Sequence, residues 1–386
     1  MQIAVRRERL PGERRVAATP ETVRQLVKLG LEVQVELGAG EAAGYPDDGY
    51  REAGAELVAE IAPSDIEVLA HVRPLDAAFI TQLGSGTVTV GLAAPGSDLD
   101  AIRALRDGGI TAFSLELVPR LSRAQSMDAL TSQALVAGYR CVLEAAMRLP
   151  RFLPLFMTAA GTVPPAKVLV LGAGVAGLQA IATAKRLGAR VSANDVRAAS
   201  ADEVASMGGT FIHLDLESAD AAGGYAKELA ADRAQRQQDL LAPHVAESDI
   251  IITTAAIPGR PAPRLVTSAM LAGMRAGSVV VDLAAESGGN VEGSVPGEDV
   301  TVPVAGGTVT IVGMKDAAST MPYDASRLYA KNVANFIELM VVDGAVSPNY
   351  DDEVVAGASL VRDGTVQHPP TAALVDPEPA ADKEAN

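Results

Sequence analysis

Short runs of Val, Ile and Leu alternate with helix-forming patterns along most of the chain. In the first third, the apolar runs predict strands at residues 3–5, 31–37, 65–72, 87–92 and 110–115. The patterns between them predict helices at residues 20–29, 76–83 and 98–106. The first helix has clear end signals, with Thr19 as its N-cap, Pro20 at its first position and Gly30 after its end.

A second series of the same kind begins at Lys167. Its apolar runs predict strands at residues 167–171, 190–194, 210–214, 249–254, 278–283 and 308–312. Because strands that are apolar along their whole length need cover on both faces, the pattern predicts parallel sheets with helices on each side. The predicted fold class is therefore α/β, with two Rossmann-like doubly wound parallel-sheet domains and a cleft between them.

The segments around the two series set the predicted domain boundaries. Residues 125–156 are mostly apolar and helix-compatible, although Pro150 and Pro154 interrupt them, and residues 326–342 are again helical. Residues 353–366 have the pattern of a strand pair with a turn at Arg362-Asp363-Gly364. The prediction is an N-terminal α/β domain of residues 1–125 plus about 326–370, a connecting helix over 126–160, a Rossmann domain over 161–325 and a disordered tail over 371–386.

Composition narrows the possible functions. The net charge of -16 makes nucleic acid and anionic membranes poor partners, since both attract Lys/Arg patches. Cys141 is the only cysteine, so no disulfide forms within the chain, and a cytoplasmic protein is the simplest expectation. One Cys and four scattered His give no metal-binding pattern. No apolar run reaches the ~18–20 residues that span a bilayer, so membrane association would need a partner.

The sharpest motif is the glycine pattern at Gly172, Gly174 and Gly177, which follows a predicted strand and opens a predicted helix. Asp195 ends the next predicted strand, where an acid accepts hydrogen bonds from an adenosine ribose and repels a 2′-phosphate. The unit predicts dinucleotide binding with NAD(H) favoured over NADP(H); the alternative is a structural glycine turn. Arg197 could soften that preference, but we interpret it as a solvated charge. The predicted cofactor-binding residues here are Gly172, Gly174, Val175, Ala176, Gly177, Asp195, Val196 and Arg197.

A polar segment, PRLSRAQSMDALTSQ, precedes the predicted connecting helix. It contains Arg120, Arg123, Gln125 and Asp128, and either Ser122 or Ser126 could cap the helix. One interpretation is an ordinary polar helix start. The other is a group of side chains that reaches a ligand in the interdomain cleft.

Four further places are candidates only in combination. Gly223-Gly224-Tyr225 suits either a mobile flap or an ordinary loop. Arg15 could bind an anion or be a surface charge, and Glu286 follows another apolar run. After the run DIIITT, at the carboxyl end of a predicted strand where such folds bind ligands, stand Thr253, Thr254, Ala255, Ile257, Pro258 and Gly259.

Several stretches together resemble a known family. PGERRVAATPE, ELVPRLSRAQSMDALTSQ, MTAAGTVPPAKVLVLGAGVAGLQAIATAKRLGA, GGYAKE, ITTAAIPGRPAP and DLAAESGGN are similar to the NAD(H)-binding domain I of the alpha subunit of proton-translocating nicotinamide nucleotide transhydrogenase. The resemblance covers nearly the whole chain, from Ile3 to about Pro369. Alanine dehydrogenase is the sister family and has the same two-domain architecture.

The resemblance implies roles for individual residues. Arg120, Gln125 and Asp128 match the family's Arg-Gln-Asp loop at the nicotinamide half of NAD(H), and Gln125 would also meet the incoming NADP(H). Tyr225 matches the tyrosine of a mobile loop that closes over the nucleotide, and Thr131 stands where several relatives have Ser. The resemblance also implies hydride transfer from NADH to NADP⁺ on a partner component, coupled to proton translocation by a membrane component. It implies attachment to the inner face of the membrane through these partners, and a homodimer.

Two other functions stay open. An alanine dehydrogenase-like enzyme would need a proton-transferring His, and the run TVTVGLAAP has none where that family carries one. Arg15 matches that family's substrate-carboxylate arginine, but transhydrogenases retain it too. An NAD(H)-sensing module without chemistry of its own is the third alternative.

Overall fold

The structure, a computed structural model, describes residues 1–214, 226–256 and 261–377, with the backbone alone for 226–233. The chain forms two compact units. Unit 1 is Met1–Gln133 together with the chain from Ala318 onward, and unit 2 is Ala134–Ala317. The sequence-based boundaries, at residues 125, 161 and 325, therefore differ from these by several residues or more, and the change of unit falls within a helix.

Strands in the described residues are β1 Gln2–Val5, β2 Glu32–Glu36, β3 Glu56–Val58, β4 Val68–Ala70, β5 Val88–Gly91, β6 Thr111–Ser114, β7 Phe156–Thr158, β8 Gly161–Val163, β9 Lys167–Leu171, β10 Arg190–Asn194, β11 Thr210–Phe211, β12 Ile250–Thr253, β13 Val279–Asp282, β14 Asp299–Val304, β15 Gly307–Gly313, β16 Val341–Val342, β17 Ala345–Val346, β18 Ser359–Arg362 and β19 Thr365–Val366. Helices are α1 Pro20–Lys28, α2 Asp47–Glu52, α3 Ala77–Ile80, α4 Leu99–Asp107, α5 Ala129–Arg148, α6 Val175–Arg186, α7 Ser200–Ser206, α8 Ala226–Glu247, α9 Ser268–Ala272, α10 Pro322–Leu339, α11 Glu353–Ala358 and α12 Pro369–Val375.

The sheet of unit 1 has the order β3-β2-β1-β4-β5-β6-β18-β19. Its first six strands are parallel, and β18 and β19 add an antiparallel edge. Successive residues of β1 enter different cores: Ile3 and Val5 pack in one cluster, and Ala4 packs in the other. A strand buried on both faces needs a continuous apolar run, which is why the sequence pattern is apolar rather than alternating.

The sheet of unit 2 has the order β11-β10-β9-β12-β13-β15-β14, parallel except for β14. In β9, Val168 and Val170 face one core, whereas Leu169 and Leu171 face the other. Apart from the antiparallel strands, both sheets place their third, second, first, fourth, fifth and sixth strands in that order, which is the doubly wound Rossmann arrangement. The predicted fold class is confirmed in this respect.

The connecting helix is shorter than predicted. Helix α5 ends at Arg148, and β7, which lies within the stretch expected as helix, pairs with β8 in a separate two-stranded hairpin. Pro150 and Pro154 follow the helix, and because proline has no backbone N–H, the helix cannot continue through them. Gly161, at the start of β8, has a φ of 131°, which also favours a turn over a helix.

The C-terminal predictions need two corrections. Residues 353–358, expected as strand, form helix α11, because the Asp352 side chain accepts hydrogen bonds from the backbone of Val354 and Val355 and caps it. The tail predicted to be disordered from residue 371 begins within helix α12, whose Thr371 hydroxyl donates to the Pro95 carbonyl at 2.8 Å. The predicted turn before β19 is confirmed, with positive φ at Asp363 and Gly364.

Candidate nucleotide-binding site

The loop between β9 and α6 contains three glycines for three different reasons. Gly172 has a φ of 102°, and a Cβ on it would lie 2.7 Å from Thr254 Oγ1. A Cβ on Gly177 would lie 1.9 Å from the Gly172 carbonyl oxygen. A Cβ on Gly174 would meet nothing within 4 Å. The protein itself excludes side chains at Gly172 and Gly177, whereas Gly174 borders open space through which a ligand can approach the backbone.

Helix α6 starts at this loop with unpaired backbone donors. Its N-cap, Gly174, has no side chain that could accept hydrogen bonds from the first turn. The Leu178 N–H donates to the Gly174 carbonyl at 2.8 Å, so the preceding N–H groups, including those of Val175 and Ala176, have no partner within the helix. Free N–H groups and the positive end of the helix dipole attract an anion. The first turn of α6 therefore suits the pyrophosphate of a dinucleotide.

Asp195 lies directly after β10, beside the glycine loop. Its Oδ2 accepts from the Ala173 N–H at 2.7 Å, and its Oδ1 accepts from the Arg197 N–H at 2.9 Å. Burial acts to raise the pKa of Asp195, but the hydrogen bonds from Arg197 and Ala173 and the positive charge of Arg197 outweigh burial and lower it. The carboxylate is therefore ionised at neutral pH, as an acceptor for ribose hydroxyls must be.

The Arg197 side chain is 59% exposed, which agrees with a solvated charge, but it is also paired with Asp195. Its Nε donates to Asp195 Oδ1 at 3.0 Å and its Nη2 to Oδ2 at 3.3 Å. The same Nη2 donates to the Ala173 carbonyl at 3.2 Å. Val196, between the two charged residues, is 76% exposed. The sequence analysis did not foresee the ion pair, which forms because the turn after β10 brings residues 195 and 197 together.

The end of β12 forms the next side of the site. The Thr254 hydroxyl donates to the Gly172 carbonyl at 3.1 Å, so the two loops are joined directly. The Ala255 N–H donates to Asn290 Oδ1 at 3.1 Å, and Asn290 Nδ2 donates back to the Ala255 carbonyl at 2.8 Å. Thr254 and Ala255 therefore have a fixed backbone beside the glycine loop. The predicted Ile257, Pro258 and Gly259 lie outside the described residues, as does Tyr225.

Two residues that support this edge were missed from the sequence. Asp282, at the end of β13, is fully buried and accepts from the Thr253 hydroxyl at 3.0 Å and from the backbone N–H of Asn290 and Val291 at 3.2 and 3.1 Å. Gly138 of α5 would place a Cβ 2.1 Å from the Ala176 carbonyl oxygen, so its lack of a side chain lets α5 pack on the start of α6. An acid at the end of an otherwise apolar run was the available signal for Asp282.

Glu286, singled out beside Asp282, is exposed, and its Oε2 accepts from the Asp316 N–H at 2.9 Å. It therefore contacts the chain that follows β15.

The polar segment of unit 1 forms a 3-10 helix, Ser122–Met127, followed by α5. Asp128 caps α5: its Oδ1 accepts from the Thr131 N–H at 2.8 Å and its Oδ2 from the Thr131 hydroxyl at 2.6 Å. The expectation that Ser122 or Ser126 caps this helix is therefore wrong. The Asn332 side chain of α10 donates to the Ser126 carbonyl at 2.9 Å and holds the segment in place.

The side chains of Arg120 and Gln125 in this segment are exposed. In the part of the chain that the structure describes, neither side chain has a hydrogen-bond partner. Arg123, by contrast, donates from Nη1 and Nη2 to the two carboxylate oxygens of Asp352 at 2.9 Å each. Arg120 and Gln125 are thus available to a ligand, whereas Arg123 has a structural partner.

Arg15 is buried, which excludes the surface charge considered above. Its Nε and Nη2 donate to Glu13 at 2.8 and 2.7 Å, and its Nη1 donates to Gln133 Oε1 at 2.8 Å. Arg73 Nε also donates to Glu13, at 2.6 Å. Burial would raise the pKa of Glu13, but the hydrogen bonds and charges of Arg15, followed by the charge of Arg73, lower it to about 2.

The structure therefore brings the predicted residues together in two sets. The glycine loop, Asp195, Arg197, Thr254 and Ala255 lie together in unit 2. In unit 1, Arg120, Gln125, Asp128 and Thr131 share one stretch of chain from just before the 3-10 helix to the first turn of α5. Among the described residues, no group of three or more His, Cys, Asp or Glu side chains is placed to hold a metal ion. Over the same ranges, we find no helix with both the length and the apolar character needed to cross a membrane.

Comparison with known proteins agrees with this geometry. The family described as alanine dehydrogenase/PNT matches in two stretches, its N-terminal domain over residues 4–137 and its C-terminal domain over residues 141–369. The first portion of NAD(P) transhydrogenase subunit alpha from Rhodospirillum rubrum is 46% identical over 387 residues, covering 96% of this chain and 98% of that protein.

Solved structures give the same relationship. A transhydrogenase from Sinorhizobium meliloti superimposes with a TM-score of 0.83 at 45% identity, covering 96% of this chain and 99% of that one. An L-alanine dehydrogenase superimposes with a TM-score of 0.78 at 25% identity, covering 97% and 99%. By these matches, the chain belongs to the alanine dehydrogenase/PNT family, and within it to the NAD(P) transhydrogenase alpha subunits.

Proposed function

We propose that this chain is the NAD(H)-binding component of a proton-translocating transhydrogenase, in which hydride passes from NADH here to NADP⁺ held on a partner component. The observation that carries the proposal is the glycine loop of unit 2 with ionised Asp195 beside it. The unpaired amides of α6 would hold the pyrophosphate, and Asp195 would accept the adenosine ribose hydroxyls.

Unit 1 supports the assignment of NADP(H) to a partner. Its sheet has the Rossmann strand order, but the loop after β1, residues 6–19, has a single glycine, Gly12. Glu36 ends β2, a position comparable to that of Asp195 after β10. Its Oε2 lies 3.1 Å from Arg9 Nη2, and its Oε1 lies 3.6 Å from Arg6 Nε. The Glu36 side chain is only 2% exposed and also accepts from the backbone N–H groups of Arg7 and Ile61, so it is a poor acceptor for ribose. The described part of unit 1 therefore offers no second dinucleotide site of this type.

The side chains of unit 1 fit hydride transfer better than proton transfer. Hydride passes from one nicotinamide C4 to another without gain or loss of a proton, so position and orientation supply most of the acceleration. His71 is buried, and its Nδ1 lies 2.8 Å from the Arg73 carbonyl oxygen. Burial lowers its pKa to about 4. It is therefore neutral at pH 7 and already hydrogen-bonded, which suits packing rather than acid–base catalysis.

Gln125 and Arg120 are the groups we assign to the nicotinamide half. Both are exposed and unpartnered on a segment that α10 holds in place, so their side chains are free to contact a nucleotide. Asp128 would act through Thr131, since both its carboxylate oxygens bind that residue. Tyr225 would close over the bound nucleotide, as the family resemblance implies.

A homodimer is the second element of the proposal, and the β7–β8 hairpin supports it. Among the described residues, its two strands pair only with each other, and an isolated two-stranded hairpin is at best marginally stable. Met157 is 76% exposed and Phe152 is 57% exposed. Residues 149–166 contain one basic and no acidic residue in a chain of net charge -16. This segment is thus where we place the contact between two acidic copies of the chain.

We place the protein at the inner face of a membrane, attached through a membrane component and an NADP(H)-binding component.

Alanine dehydrogenase is the alternative, since an L-alanine dehydrogenase shares the fold over nearly the whole chain. An enzyme of that kind needs an arginine for the substrate carboxylate. Here the guanidinium of Arg15 is already bound by Glu13 and Gln133, which leaves it little capacity for a substrate.

The test measures three activities of the purified chain. NADH binding is followed by fluorescence titration, NAD⁺ reduction is assayed with L-alanine, and transfer from NADH to NADP⁺ is assayed with and without an added NADP(H)-binding component. We expect NADH binding, no turnover with L-alanine, and transfer only with the added component. Turnover with L-alanine would establish the alternative, and binding without transfer in the complete mixture would indicate a sensing module.

A further inference from the structure

The carboxylate of Asp195 is fully occupied in the free chain. Its Oδ1 accepts from the Arg197 N–H and Nε, and its Oδ2 accepts from the Ala173 N–H and the Arg197 Nη2, at distances between 2.7 and 3.3 Å. A carboxylate offers about four lone-pair positions in all. A ribose that needs Asp195 as an acceptor therefore finds no free position until one of these donors leaves.

The donors differ in their freedom to leave. The N–H groups of Ala173 and Arg197 belong to the loop backbone, so they stay while the loop keeps its shape. The guanidinium is on a flexible side chain that is 59% exposed, whereas the Asp195 side chain beneath it is 9% exposed. Exposed ion pairs contribute little to stability. The guanidinium is thus the donor that can be displaced, and its departure frees two lone-pair positions, as many as the 2′- and 3′-hydroxyls of an adenosine ribose require.

The same side chain also changes the charge that a 2′-phosphate would meet. Asp195 alone would repel that phosphate. A guanidinium held at 3.0 Å from the carboxylate compensates its charge, and arginine binds phosphate with two parallel hydrogen bonds.

We propose that Arg197 is a specificity-determining residue that covers Asp195 in the free protein and is displaced by the adenosine ribose of NADH. Its presence makes the difference between the affinities for NADH and NADPH smaller. This inference rests on the proposed function, since it assumes that the site of unit 2 takes NAD(H). It differs from a direct contact between Arg197 and NADH, because it gives Arg197 opposite effects on the two nucleotides.

The experiment compares the dissociation constants of NADH and NADPH for wild type, Arg197→Ala and Arg197→Lys. For Arg197→Ala we expect NADH to bind a few-fold more tightly and NADPH at least several-fold more weakly. Arg197→Lys keeps the charge but not the forked contact, so its values should lie between those of wild type and the alanine variant. Arg186→Ala, which removes a positive charge from the exposed last turn of α6, is the matched control and should change neither constant.

A double-mutant cycle with Asp195→Ala separates displacement from a general charge effect. Without Asp195 there is nothing for Arg197 to cover, so Arg197→Ala should no longer tighten NADH binding in that background. Weaker NADH binding by the single Arg197→Ala variant, or equal changes for NADH and NADPH, would overturn the inference. Failure of wild type to bind NADH at all would instead refute the proposed function, so the two failures are distinguishable.

Discussion

Gln125 is an exposed amide on the 3-10 helix Ser122–Met127, and its exposure leads to a prediction about catalysis. Gln125→Asn withdraws the amide by one methylene and leaves the rest of the segment unchanged. We expect NADH affinity to change little. Transfer should slow by about 10²-fold, because small misplacements of reacting rings are costly.

Single-turnover transfer with the NADP(H)-binding component, beside an NADH titration, measures the two effects separately. Ser122→Ala, in the same exposed segment, is the control and should transfer at the wild-type rate. Normal transfer by Gln125→Asn would remove the residue from the hydride-transfer site.

Glu8 gives a prediction about pH. It lies near the carboxyl end of the unit 1 sheet and accepts from the Val72 N–H at 2.6 Å. Burial, with a smaller contribution from the charge of Glu13, raises its pKa to about 7. The native state therefore keeps this proton at pH values where the unfolded chain has lost it, so the contribution of Glu8 to stability falls as pH rises from about 4.5 to 7.

The variant Glu8→Gln cannot lose a proton and should lack this pH dependence. We compare the free energy of unfolding of the variant with that of wild type at each pH. The difference, variant minus wild type, should be about 1–3 kcal/mol larger at pH 8 than at pH 4.5. Denaturant titrations of both proteins at several pH values between these limits measure the difference. His71, whose lowered pKa adds stability as pH rises from about 4 to 6.5, is present in both proteins and so cancels. A difference that does not vary with pH would show that Glu8 titrates normally.

At the scale of elements, the β9–α6 loop permits a matched pair of substitutions. A Cβ at position 177 would lie 1.9 Å from the Gly172 carbonyl oxygen, whereas one at position 174 would meet nothing. Gly177→Ala should therefore destabilise the fold by about 1–3 kcal/mol or more. Gly174→Ala should fold normally but bind NADH more weakly, because its methyl group occupies the space that the pyrophosphate needs.

Thermal unfolding and NADH titration of both variants separate the two kinds of loss. Equal stability of the two variants would contradict the close packing at Gly177. Unchanged NADH affinity of a folded Gly174→Ala protein would place the pyrophosphate elsewhere.

The sequence predicted elements best where local signals and burial agreed. Helix α1 has its N-cap, first proline and terminal glycine where Thr19, Pro20 and Gly30 indicated, and the runs at β9 and β12 are apolar because both faces are buried. Among the elements that the sequence analysis did not predict are α2 Asp47–Glu52, β3 Glu56–Val58 and β14 Asp299–Val304. The two strands lie at sheet edges, where half-exposed residues weaken the apolar pattern, and β14 contains Pro303.

The candidate site was partly readable for a similar reason. Glycines at a fixed spacing and an acid after the next strand are local signals, so Gly172, Gly174, Gly177 and Asp195 could be named in advance. The partners of a charged side chain are set by the fold. The pairs Arg123 with Asp352 and Arg15 with Gln133 join residues far apart in the chain, and nothing local predicts them.

At the scale of the whole molecule, the exposed hairpin leads to a prediction about assembly. Met157 is 76% exposed on β7, so Met157→Asp should cost the folded subunit little. In a dimer joined through the hairpins it would bury like charges close together. We expect wild type to sediment as a dimer and the variant as a monomer. Leu10→Asp, at an exposed position of unit 1, should stay dimeric. A dimeric Met157→Asp protein would place the interface elsewhere.

Unit 1 is built from two separated stretches of chain, and this has a consequence during synthesis on the ribosome. Its first 133 residues emerge early, but β18, which pairs with β6, and α10, which supplies Tyr329, Phe336 and Ile337 to the core, are translated only after the whole of unit 2. Unit 2 is continuous and can fold as soon as it is made. The earlier-made stretch must wait with the edge of β6 unpaired and some of its core uncovered, which is a state prone to aggregation. During synthesis, unit 2 therefore completes its folding first. The N-terminal stretch of unit 1 stays incompletely folded for the longest time and depends longest on chaperones.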